Sequence, residues 1–150
     1  MVDTAKGFTL VRNLDATPEA IFTAWTDADA AAEWWHPRQT TTPRESVEID
    51  ATAGGEYRYT MVNELSGESV ETGGVYSEVE PSKRLAFTWG VPGDDSEDTP
   101  VVTIDIEPEG ELTLMTFDLR GVDGFSGDGS YYDGWEQALD SLTTYLAQNP

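Results

Sequence analysis

The last twenty residues constrain this chain most. From Ser130 to Gln148, Trp135, Ala138, Leu139, Leu142, Tyr145 and Leu146 recur at spacings of three and four, which predicts an amphipathic helix with one apolar side. Glu136, Gln137, Asp140, Ser141 and Thr144 fall on its outer side. The tetrad Ser130-Tyr131-Tyr132-Asp133 resembles a capping box at its start, and Asn149-Pro150 stops it. An isolated helix of this length is marginal in water, whereas burying Trp135, Leu139, Leu142 and Leu146 contributes about 1.5–3 kcal/mol each as an upper bound. The helix must therefore dock, and residues 45–120 read as the antiparallel sheet that receives it.

Upstream, Phe8–Leu14 alternates as a strand, with Phe8, Leu10 and Leu14 on one face and Val11 on the other. Thr17 is a suitable N-cap and Pro18 a suitable first residue for a short helix that buries Ile21, Phe22 and Trp25. Thr26-Asp27-Ala28-Asp29 starts a second helix, predicted over 30–35 and ended by Pro37. Residues 38–46 read as loop. Strands are predicted over 47–51, over 56–62 with Tyr57, Tyr59 and Met61 on one side, over 69–80 with a sharp bend at Gly73-Gly74, and over 84–89 with Leu85, Phe87 and Trp89 on one face. Pro81-Ser82-Lys83 is a tight connection, and Pro92-Gly93 opens an exposed acidic hairpin loop. The last two strands, over 101–107 and 112–120, turn at Pro108-Glu109-Gly110. In the final strand the apolar parity passes from Leu112 and Leu114 to Met115, Phe117 and Leu119, which predicts a bulge or two covered faces near Leu114. A glycine-rich segment, 121–129, leads to the long helix. The fold class is α+β: a curved antiparallel sheet of about seven strands around a long C-terminal helix, with two short helices after the first strand and a cavity where the helix fills the sheet only in part.

A chain of 150 residues is most simply one domain, 1–150, with a core large enough to need no disulfide or metal. With no cysteine, thiol nucleophiles and thiolate metal sites are excluded. The N-terminus lacks a basic segment followed by an apolar run, and no stretch of roughly 18 apolar residues occurs, so a cytoplasmic protein is expected. The 29 Asp plus Glu against 8 Lys plus Arg give a formal net charge of −21. Such a charge repels phosphate backbones and anionic lipid, so neither nucleic acid nor a membrane is an expected partner. The acids are dispersed apart from Asp94-Asp95-Ser96-Glu97-Asp98. Their mutual repulsion is unscreened in dilute buffer and screened in concentrated salt, which predicts a halophilic protein.

Several stretches together resemble one family: Ile21-Phe22-Thr23-Ala24-Trp25-Thr26-Asp27, Glu33-Trp34-Trp35-His36-Pro37, Gly54-Gly55-Glu56-Tyr57-Arg58-Tyr59, the run from Gly74 through Pro81 to Trp89, and Gly134-Trp135-Glu136-Gln137-Ala138-Leu139. In this order, over nearly the whole chain, they look like the activator of heat-shock-protein-90 ATPase homologue family of the START-like (SRPBCC) superfamily. That resemblance implies the helix-grip fold of the birch-pollen allergen, with an apolar pocket between sheet and C-terminal helix and frequent homodimers. His36 departs from the family, which more often has glycine there. Co-chaperones of the name-giving kind carry a second, amino-terminal domain for which this chain has no room, so small-ligand binding is the expected inheritance in place of a chaperone partner.

The expected pocket is aromatic, built from Trp35, Tyr57, Tyr59, Met61, Phe87, Trp89, Trp135 and Leu139, and the expected partner is a small apolar ligand. His36, the single histidine, and Asp118 are the candidate polar contacts, with Arg12, Arg58 and Asn63 further polar groups and Arg58 on the face opposite Tyr57 and Tyr59. No catalytic constellation is expected. There is no second histidine or cysteine beside His36 and no G-x-S-x-G serine; nor does any glycine-lysine-serine/threonine sequence close a phosphate loop. The acidic run 94–98, and Asp123 and Asp128 among glycines, do not follow calcium-loop spacing, so neither metal nor cofactor is expected. An enzyme of the same fold, acting by proton transfer of the cyclase or hydrolase kind, and a protein-interaction module are the alternatives.

Overall fold

The computed structural model describes residues 3, 5–37, 39–93 and 99–148. The elements run β1 (Gly7–Leu14), α1 (Pro18–Thr26), α2 (Ala28–Trp34), β2 (Thr40–Thr41), a 3-10 turn (Arg44–Ser46), β3 (Glu48–Ile49), β4 (Glu56–Asn63), β5 (Ser69–Glu80), β6 (Arg84–Thr88), β7 (Val101–Glu109), β8 (Leu112–Arg120) and α3 (Tyr131–Gln148). One antiparallel sheet holds all eight strands in the order β1-β8-β7-β6-β5-β4-β2, with β3 also on β4. This is the helix-grip arrangement, with one strand more than the sequence predicts.

Local chemistry sets the helix ends. The Thr17 hydroxyl accepts from the Ala20 N–H at 3.1 Å with Pro18 in the first turn. Asp27 ends α1 and caps α2, its carboxylate accepting from the Ala30 N–H at 3.1 Å. Helix α2 therefore begins two residues before the predicted Ala30 and ends at Trp34. At α3 the reciprocal capping exists, but Asp128 supplies the capping carboxylate in place of Ser130. It accepts from the N–H groups of Ser130 at 2.8 Å and Asp133 at 3.2 Å, while Asp133 reaches back to Gly127 and Gly129 at 2.8 and 2.7 Å. Gly127 and Gly129 both have positive φ, which lets the loop fold over the helix end.

Strand β5 serves two partners. Its first half pairs with β4 from Val62↔Ser69 to Glu56↔Val75, and its second half with β6 from Tyr76↔Phe87 to Glu80↔Arg84, with a register shift between Tyr76 and Glu78. Gly73 and Gly74 sit at the handover. A Cβ on Gly74 would lie 2.0 Å from the Thr88 carbonyl oxygen, and one on Gly73 2.5 Å from that of Tyr57, so the close backbone approach requires glycine.

Two expectations are corrected. Residues 38–46 hold β2, which pairs Thr40 with Asn63 and Thr41 with Val62, because two hydroxyl-bearing β-branched residues complete the sheet edge without apolar alternation to announce them. Strand β8 has no bulge, since its register with β7 is continuous from Val101↔Arg120 to Glu109↔Leu112. Thr113 takes the inward position, 2% exposed, with its hydroxyl donating to the Ala16 carbonyl at 2.6 Å, and Leu112 faces outward, 41% exposed. The acidic run 94–98 and the stop at 149–150 lie outside the described residues.

Trp25 is central to the core. Its ring lies 4.6 Å from Trp34, 5.8 Å from Trp35 and 6.3 Å from both Phe87 and Trp135, centroid to centroid, and its N–H meets the Met115 sulfur at 3.4 Å. Helix α3 buries Trp135, Ala138, Leu139, Leu142 and Leu146, as its period predicts. No helix among the described residues is long and apolar enough to cross a membrane.

Candidate functional site

Four aromatic side chains from separate elements form the walls of a cleft of about 330 Å³: Trp35 at the end of α2, Tyr59 on β4, Trp89 just after β6, and Trp135 in the first turns of α3. Each is placed by local structure. Trp35 caps α2 with a non-helical backbone, its N–H held by the Ala31 carbonyl at 2.9 Å. Tyr59 shares its strand face with Tyr57, and Trp135 begins the apolar stripe of α3. Trp35 and Tyr59 stack at 4.6 Å and 21°, and Trp89 meets Trp135 at 5.3 Å and 62°. Val70 and Tyr131, 58% and 45% exposed, stand at the mouth.

The lining has an unusual balance of polar groups. The indole N–H groups of Trp35, Trp89 and Trp135 are buried without an acceptor among the described residues, whereas Trp34 donates to the Ala24 carbonyl at 2.9 Å. Leaving a buried donor unpaired costs about 1–3 kcal/mol, so a wall selected for stability alone would use apolar rings here. Burial pushes the Tyr59 phenol well above its ordinary range, with the Trp89 indole pulling weakly in the other direction. Burial likewise raises the Tyr57 and Tyr76 phenols, so all three are neutral hydroxyls.

His36 lies on the cleft wall beside Pro37. Its Nδ1 is 3.1 Å from the Thr42 hydroxyl, which also lies 3.3 Å from the Trp35 carbonyl oxygen. Burial holds the imidazole below its ordinary pKa, with the Glu64 carboxylate pulling partly in the other direction. It is therefore neutral near pH 7. Among the described lining residues there is no carboxylate, lysine or arginine. No group of three His, Asp or Glu among the described residues could hold a metal ion.

The structure thus gathers Trp35, Tyr59, Met61, Trp89, Trp135 and His36 at one cleft. It leaves Tyr57, Phe87 and Leu139 behind the wall in the core. Tyr57 is wedged against Phe87 at 5.2 Å with its hydroxyl donating to the Thr88 carbonyl at 2.7 Å. Asp118 is corrected outright: β8 alternation turns it to the face opposite Phe117 and Leu119. Burial there raises its pKa, but hydrogen bonds from Arg120 and the Thr9 hydroxyl prevail and hold the carboxyl below its usual range. Arg58 and Arg12 pair with Glu48 and Asp140, and the Asn63 side chain closes the turn after β4. Sequence reading missed Val70, Thr72, Ser130, Tyr131 and Ala138. Tyr131, Trp135 and Ala138 are spaced by four and three, so Tyr131 extends the core stripe of α3 by one turn toward its start, a spacing readable in the sequence. Two other depressions, about 620 Å³ beside Glu33 and Tyr145 and about 440 Å³ beside Tyr57, Arg58 and Pro92, are surface grooves lined mostly by polar and charged groups, with one tyrosine each.

Residues 15–147 match the family model described as Activator of Hsp90 ATPase homolog 1-like protein. Among solved structures, the chain is similar to a protein from Chromobacterium violaceum, with 27% identity and a TM-score of 0.81 over 94% of this chain and 97% of that one. It is similar to an AHSA1 protein from Silicibacter pomeroyi, with 25% identity and a TM-score of 0.79 over 96% and 99% of the two chains. An AHSA1-like protein from Aeromonas hydrophila, 19% identical over 95% and 92% of the two chains, shares the fold with a TM-score of 0.78. No curated protein matches.

Proposed function

Since this chain belongs to the Activator of Hsp90 ATPase homolog 1-like family, we propose that it binds a small apolar or amphipathic molecule in the cleft between β4, β5 and α3. The observation that carries this reading is the cleft itself: about 330 Å³, with aromatic walls from four elements and no charged side chain among its described lining residues. Apolar pockets of this size with a few placed polar groups are the usual form of small-molecule sites. The unpaired indoles support it, because they cost stability and have no evident structural return.

The test is mass analysis of small molecules extracted from protein purified in concentrated KCl, compared with a Trp89→Ala, Tyr59→Ala double variant shown to be folded. A stoichiometric compound present in the first sample and lost from the second is the expected result. Absence from both would overturn stable binding. The second reading, proton-transfer chemistry on such a ligand, is favoured by a single observation, the neutral imidazole on the wall. Conversion of the extracted compound by the wild-type protein but not by His36→Gln would establish it.

A further inference from the structure

The polar groups of the cleft are unequal, and their inequality selects a ligand. Thr42 lies within reach of two groups, the Trp35 carbonyl oxygen at 3.3 Å and His36 Nδ1 at 3.1 Å. A carbonyl can only accept, and a hydroxyl has one proton to give. Both contacts are satisfied together only if Thr42 donates to Trp35 and His36 Nδ1–H donates to Thr42. In the neutral imidazole that leaves Nε2 as a bare lone pair, with no partner among the described residues. Thr42 is itself buried and follows β2, whose pairing with β4 fixes it against the helix end. The ring is therefore oriented from behind, as imidazoles at binding sites are.

The rest of the lining supplies no equivalent. The indoles only donate, and the hydroxyls of Tyr59, Thr72, Ser130 and Tyr131 both donate and accept, so they do not discriminate. His36 Nε2 is the one side-chain group of the described lining that only accepts strongly. A cationic donor would be buried without a counter-charge from the described lining residues, none of which is a carboxylate. We propose that the ligand is a neutral hydroxyl compound, a phenol or alcohol on an apolar body, whose O–H donates to Nε2 of His36 while Thr42 holds the imidazole in the Nδ1–H form. This rests on the cleft being a ligand site, and makes His36 its specificity-determining residue.

The test uses 2-naphthol and 2-methylnaphthalene, which differ by a hydroxyl and a methyl of similar size. Because His36 is the only histidine, long-range 1H–15N spectra of the whole protein report its ring without ambiguity. The expected spectrum shows protonated Nδ1 and bare Nε2, and 2-naphthol shifts the Nε2 resonance. Relative to the methyl compound, naphthol binding is expected to fall about tenfold in His36→Phe, the scale of one hydrogen bond, with both probes still bound. Thr42→Val, which frees the ring, is expected to lose part of that preference while the protein stays folded. An Nε2–H tautomer, or an unchanged naphthol preference in His36→Phe, would overturn the proposal and leave the apolar cleft intact as a binding site. If neither probe binds the wild type, the binding reading fails and this one with it.

Discussion

Trp34 and Trp35 are chain neighbours whose rings lie 6.0 Å apart and 17° from parallel, and both are almost fully buried, yet among the described residues only Trp34 has an acceptor for its indole N–H. The pair separates two roles at one helix end. Trp34 ties α2 to α1, and Trp35 turns into the cleft.

Replacing each with phenylalanine tests that division. Trp34→Phe removes a satisfied bond, and Trp35→Phe removes a donor that has none, at similar cost in volume. Trp34→Phe is expected to be the more destabilising by about 1 kcal/mol or more in urea unfolding. Equal losses would mean that the Trp34 bond to Ala24 contributes nothing net.

The handover in β5 depends on backbone contact. Gly74→Ala forces a methyl into the Thr88 carbonyl, so a loss of about 1–3 kcal/mol is expected, read as a fall of several degrees in Tm for a chain of this size. Gly67→Ala is the comparison without a clash: a Cβ there meets nothing within 4 Å, so only the strain of its φ of +75° is read. A Gly74→Ala protein as stable as wild type would show that the strands separate freely at this corner.

The His36 pKa sets a pH dependence whose sign is fixed. Its folded value lies below the unfolded reference of 6.5 because burial disfavours the imidazolium. Below pH 6.5 the unfolded chain binds the proton first, so stability falls as pH drops through 6.5 toward the folded value. Acidification also neutralises carboxylates across a chain of formal net charge −21, so the imidazole is isolated by difference. The stability gap between wild type and His36→Gln is expected to shift in favour of the variant as pH falls from 7 to 5. A gap constant over that range would show that the imidazole titrates alike in both states.

Charge repulsion gives a salt dependence. At 0.01 M ionic strength the Debye length is about 30 Å, comparable to a small domain, and at 1 M about 3 Å. We expect Tm to rise between dilute buffer and molar KCl, and to rise with sodium chloride as well, as screening requires. A flat or falling Tm would remove the case for adaptation to salt.

The binding test has a structural corollary at the mouth. Tyr131, 5.6 Å from Trp89 and edge-on to it, stands half in solvent, so Tyr131→Ala is expected to leave stability within about 1 kcal/mol while speeding release of 2-naphthol. Unchanged release would place the entrance elsewhere.

Much of this architecture was legible because it rests on local rules. Thr17-Pro18 and Asp27 begin two helices by capping chemistry that needs no partner, and the α3 stripe follows its 3.6-residue period. Strand β5 spans the predicted 69–80, and its change of partner comes just after the glycines, with the register shift between Tyr76 and Glu78. Where reading failed, the deciding contact was distant in sequence. Thr113 faces inward because the Ala16 carbonyl, 97 residues away, takes its hydroxyl. Strand β2 exists because Asn63 and Val62 offer an edge.

The sequence by itself therefore determined the elements other than β2, most of their inner faces and the supply of aromatic side chains, since periodicity and capping act within a few residues. Only tertiary structure decided which aromatics became wall and which became core. Tyr57 and Tyr59 share one strand face, yet one is packed behind Phe87 and the other meets the cleft, because β4 passes from the β5 corner toward its end. It likewise set the imidazole of His36 against Thr42. A strand of two residues brings them together, and no pattern in the chain announces it.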